Sequence, residues 1–150
     1  MFRRGVLSAL VAALVLAVPV MRARPGIVWP KVDVAAAKTS IYVGVVTMTM
    51  PTFAREGSGY VTSYTAKVFP YFFYNETGRL TVRVSEEQLA ELARGKAIDF
   101  TGDAVRTDGA QRHVTGRATP YDATHGNLDV HVAVSKHIDL IFHTTYRFHD

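Results

Sequence analysis

Cysteine is absent from the chain. Disulfides, thiolate metal sites and a lipid-modified cysteine behind an export leader are therefore excluded. Acidic residues are absent from the start of the chain. Four of the 17 lysines and arginines precede Pro25; the other 13 face all 13 acidic residues beyond it, so the body nets 13 − 13 = 0. The formal +4 and the pI near 9.5 thus belong to the N-terminus, not to a basic surface. That removes the charge argument for nucleic acid as a partner. Glycine-rich phosphate loops, HExxH and HxH spacings and a GxSxG elbow are missing as well, so no reaction class is specified.

What the N-terminus does contain is an address. Arg3 and Arg4 precede an uncharged run from Gly5 to Met21, and Arg22 and Arg24 follow it. A basic head before an apolar core is the layout of a signal peptide or a signal anchor, and residues 1–24 are read as one or the other. Val6 to Val18 suits a cleaved core, although Met21-Arg22-Ala23 is a poor cutting site. As an uncleaved helix the run reaches about 25 Å, just short of a hydrocarbon core of about 30 Å. The expectation is export to a periplasmic, membrane-anchored or secreted location, with the membrane as a partner if the segment is retained. Residues 25–39, with Pro25, Gly26, Pro30 and a small-residue patch, read as a linker.

Residues 40–150 are enough for one domain with a real core. Runs of β-branched and aromatic residues between turn signals predict strands over 41–50 and 60–69, stopped by Pro51 and Pro70. A hairpin is expected from 71–74 to 80–84, and further strands over 128–134 and 138–148. One helix is predicted over 85–94: Ser85 and Gln88 form a capping box, Glu86 and Glu87 sit at the positive end of the dipole, and Gly95 closes it.

Between helix and C-terminal strands, Phe100-Thr-Gly-Asp-Ala104 recurs as Val114-Thr-Gly-Arg-Ala118. For Ile98, Phe100, Gly102 and Ala104 to face inward together with Val114, Gly116 and Ala118, the connecting loop must have an odd length. A three-residue loop at Asp108–Ala110 meets this and sets Gly102 opposite Gly116, with Asp103 diagonal to Arg117. Two facing glycines leave a shallow spot, open to a ligand or filled by an aromatic ring. The same parity rule for the C-terminal pair points Leu128, Val130, Val132 and Val134 inward with Ile138, Leu140, Phe142 and Tyr146. It places Asp129 opposite His143 on the outward face, with His131 diagonal.

The fold expected is mainly β: a single antiparallel β-sandwich or partly open β-barrel with one short α-helix, preceded by an N-terminal apolar helix. Three functions follow from these patterns. The first is a non-catalytic domain binding an apolar small ligand or a protein partner, through Tyr60, Tyr64, Phe72, Gly102 and Gly116. The aromatic run Phe69–Tyr74 supports it, being apolar on both strand faces. The second is a metal-binding protein or metal-dependent enzyme holding Zn or Cu on Asp129, His131 and His143; no other cofactor is implied. The third is a small outer-membrane β-barrel, suggested by the alternation from Leu140 to Phe148.

Overall fold

The computed structural model describes residues 28–150; the leader, the expected N-terminal helix and the start of the linker lie outside them. Ten antiparallel strands follow in order: β1 (Lys31–Val34), β2 (Ala37–Ile41), β3 (Gly44–Thr49), β4 (Phe53–Glu56), β5 (Gly59–Phe69), β6 (Glu76–Arg83), β7 (Ile98–Arg106), β8 (Gln111–Pro120), β9 (His125–Ser135) and β10 (Ile138–His149). Helix α1 (Glu86–Ala93) joins β6 to β7.

Pairing runs β4-β1-β10-β9-β8-β7-β6-β5 and returns from β5 to β4, so the sheet closes into an eight-stranded barrel. Strands β2 and β3 prolong β1 and β4 toward one end. Pro51 breaks the β3–β4 line because it has no N–H for the ladder. Its carbonyl instead accepts from the Thr62 hydroxyl at 3.2 Å, and Thr52 Oγ1 donates to Asp33 at 2.6 Å. Closure removes every free edge along the ring.

Of the two expected architectures the barrel is the one found, closed rather than partly open, and the reason for closure lies in the segment read as a linker. Lys31–Val34 pairs with Phe53 and Ala54 on one side and with Tyr146–His149 on the other. Val32 is buried between Phe148 and Phe53 in that register. Four residues between Pro30 and Ala35 are too few to show a period, yet they supply the closing strand. The strand expected over 41–50 is likewise split by a turn at Tyr42-Val43. Residues 71–74 are not a strand: Phe72–Tyr74 is a single 3-10 turn, and the hairpin is formed by β5 and β6 around it.

Helix α1 matches its expectation closely. Ser85 Oγ accepts from the Gln88 N–H at 3.1 Å, and the Gln88 side chain accepts from the Ser85 N–H at 3.0 Å. Gly95 takes φ +84° just beyond the C-cap, a conformation that costs a glycine little. Leu89 and Leu92 are buried, and Gln88 Nε2 donates to the Asp99 carbonyl at 2.6 Å, fastening the helix across one end of the barrel.

The β7–β8 register keeps the expected parity but slips by one pair. Gly102 faces Val114, and Gly116 faces Phe100. The loop is three residues, Thr107–Gly109, with Gly109 left-handed at φ +92° and Arg106 N–H bonded to Ala110 O. Arg117 consequently pairs with Asp99 at 3.0 Å, while Asp103 pairs with Arg83 at 2.7 Å. In the C-terminal hairpin Asp129 does face His143. Ile138, expected inside, is exposed because a bulge at Ile138/Asp139 turns it out.

Candidate functional site

The inward positions of the barrel are apolar, and they do not fill it. Eight strands give an interior that side chains either fill or leave open for one small ligand. Here a cavity of about 1110 Å³ remains, slightly above the roughly 300–1,000 Å³ usual for small-molecule sites. Leu80, Ala104, Val114, Val132, Phe142 and Ala66 form its walls. Strand direction sorts the connections: the turns at 42–43, 70–75, 107–110 and 136–137 lie at one end, and α1, the 57–58 and 121–124 turns, the start of β1 and the end of β10 at the other.

At the helix end the cavity has a floor. Leu92 covers it, and Phe148 packs on Tyr60 and Tyr146 with ring centroids 5.9 and 5.3 Å apart. Tyr60 Oη donates to the Trp29 carbonyl at 2.9 Å, and Arg55 lies over the Tyr60 ring at 4.9 Å while donating to Val84 O at 2.7 Å. Burial holds the Tyr60 phenol above its usual value and pushes Tyr146 up to about 12. At the other end the lining continues onto exposed residues, Tyr42, Val43, Phe73, Tyr74 and Ile138, so the cavity opens there.

Just inside this mouth, three adjacent strands turn charged groups inward. Glu76 begins β6, Arg106 ends β7 and Arg112 lies near the start of β8. Glu76 Oε1 accepts from Tyr64 Oη at 2.9 Å. Glu76 Oε2 accepts from Arg112 Nη2 at 3.3 Å and lies 3.5 Å from Arg106 Nε. Arg112 Nη1 donates to Val134 O at 2.8 Å, and Arg106 also reaches the exposed Asp108 at 3.3 Å. Side chains of Glu76 and Arg112 each keep only 17% of their exposure. Arg112 Nε is buried with no partner. Burial, reinforced by the hydrogen bond to Glu76, raises the Tyr64 phenol well above its normal range.

No protein-family model, no curated protein and no solved structure matches the chain.

Of the expected ligand residues, Tyr60 and Tyr64 line the cavity. Phe72 does not; it is exposed on the 3-10 turn beside the mouth. Gly102 and Gly116 do not face each other and leave no hollow between them: the Phe100 ring occupies the space at Gly116, and the Thr81 carbonyl closes on Gly102. Of the expected metal ligands, Asp129 Oδ1 meets His143 Nδ1 at 2.5 Å on the exposed outer face. His131 stands opposite Thr115, with Ile141 across from it on β10. Among the described residues no three histidine, aspartate or glutamate side chains converge on a metal position. The inward charged cluster is the feature that pattern reading passed over. The signal was present: inward parity at 98, 100, 102 and 104 continues to Arg106, and parity at 118, 116 and 114 continues to Arg112.

Proposed function

We propose that this protein is a non-catalytic carrier that holds an apolar small ligand inside its barrel. The observation that carries this reading is the 1110 Å³ apolar cavity, floored by α1 and open at the opposite end. The Glu76 carboxylate is engaged by Tyr64, Arg106 and Arg112, which leaves it occupied as an ion-pair partner rather than free to act as a base. The leader's sequence supports a place of action outside the cytoplasm, and among the described residues no helix is long and apolar enough to cross a membrane.

The outer-membrane reading has less support. Arg79, Arg83, Asp99, Asp103, Arg117, Asp129 and Arg147 alternate with the inward residues and face out. A spanning barrel carries an apolar band about 25 Å tall at those positions. The metal reading keeps two donors, Asp129 and His143, on that same face. The exposed Phe69, Phe72, Phe73 and Tyr74 beside the mouth favour a contact surface there, which suits ligand delivery to a protein partner.

The test is titration with an uncharged fluorescent probe, N-phenylnaphthylamine. A saturable, single-site rise in emission is expected, together with a raised melting midpoint, since a ligand confined to the folded state adds about 2.7 kcal/mol at 100 times its Kd. Emission that never saturates, with an unmoved midpoint, would remove the carrier reading.

A further inference from the structure

The charged cluster inside the mouth says which ligands the cavity selects. Between the cluster and the floor the walls are apolar: Val114, Val132, Leu80, Ala104, Phe142 and Leu128. From Arg112 to Ala118 the strand covers about 20 Å, or about 15 Å of depth once a barrel tilt of roughly 40° is included. A polar anchor at one end of a deep apolar tube fits a molecule with a polar head and one extended tail.

The chemistry of the head follows from the donors at the mouth. The guanidinium groups of Arg106 and Arg112 face the Glu76 carboxylate in a half-buried space; Asp108 pairs with Arg106 from its exposed side, and Asp139 also lines this mouth. A buried donor without an acceptor is costly. Arg112 Nε is such a donor. An anionic oxygen at this level would supply the missing acceptor. Guanidinium forks also hold carboxylates in two-bond geometry, which an alcohol or an amine cannot reproduce.

We propose that the ligand is a single-chain amphipath with a singly charged carboxylate head, bound at Arg106 and Arg112 with its tail directed toward the α1 floor. This rests on the carrier reading of the same cavity. Tyr64 acts as a positioning residue, donating to the Glu76 oxygen that Arg112 does not use.

The experiment displaces N-phenylnaphthylamine from the protein with dodecanoic acid and, separately, with dodecanol. The acid is expected to compete at least about tenfold better, the size of one charge-assisted hydrogen bond. Arg112→Gln should erase that preference and leave dodecanol unchanged. Glu76→Gln, which frees both guanidinium groups while keeping the residue's shape, should strengthen the acid alone; it covers the case in which Arg112→Gln does not fold. Equal competition by acid and alcohol, or a preference untouched by Glu76→Gln, overturns the head-group assignment while the carrier reading stands. If neither the probe nor dodecanol binds, the carrier reading itself falls.

Discussion

The Phe100 ring occupies the place that a β-carbon on Gly116 would take, with Cε2 at 2.8 Å from that position across the β7–β8 ladder. The Asp129 carbonyl, at 2.9 Å, closes the same space from β9. Gly116 is thus a packing glycine, kept small by an aromatic neighbour. Gly116→Ala should destabilise the protein by about 1–3 kcal/mol through overpacking, read as a lower urea midpoint. Adding Phe100→Leu should recover part of that loss, because contacting residues couple. A Gly116→Ala midpoint equal to the parent would show that the ring moves freely.

Ala104 lines the cavity wall and is buried. Ala104→Phe extends a ring into open space rather than into packed neighbours. Probe affinity should fall by at least about tenfold, with the melting midpoint held or raised, since filling a void restores lost contacts. Retained affinity would place the bound probe elsewhere on the molecule.

The capping box at Ser85 secures the helix that floors the barrel. Ser85→Ala should cost about 1 kcal/mol, measured by chemical denaturation. Faster amide exchange at Gln88, whose N–H would lose its acceptor, should accompany it. A cost without that exchange change would mean the helix terminus was not what the substitution weakened.

Alkaline stability should follow the buried tyrosines. Tyr60, Tyr64 and Tyr146 all have raised phenol pKa values in the folded state, mainly through burial, with Tyr146 at about 12. The folded state therefore holds protons that the unfolded chain releases above its normal tyrosine value of about 10. Their contribution is fully present below about pH 10 and is lost as pH rises through the folded values. Urea midpoints should be level up to that point and then decline, and Tyr146→Phe should make the decline shallower. A parent and variant with parallel profiles would remove Tyr146 from this account.

Much of the strand inventory was legible because alternation is local. Gly59–Phe69, Gln111–Pro120 and His125–Ser135 each carry enough inward and outward positions to reveal a period of two. The odd-loop argument held for β7–β8 in parity but not in register, since parity is blind to a slip of one pair on each side. The turn geometry of Gly109 and the fit of Phe100 over Gly116 chose between the two alignments. The site was less legible. Arg106 and Arg112 read as ordinary surface arginines near a turn until both are seen on the inner face beside Glu76.

The sequence by itself determined the capped helix at Ser85, the inward and outward sets on the long strands, the Asp129–His143 pairing and the neutrality of the body. Each depends on neighbours a few residues apart, or on the strict alternation of a strand. Tertiary structure alone decided that Lys31 meets His149 and closes the ring, that the closed ring keeps a void, and that Glu76, Arg106 and Arg112 meet at its mouth. The physical reason is distance along the chain. A barrel's radius and its unfilled interior come from pairing remote strands, and no local pattern encodes how much space their side chains leave.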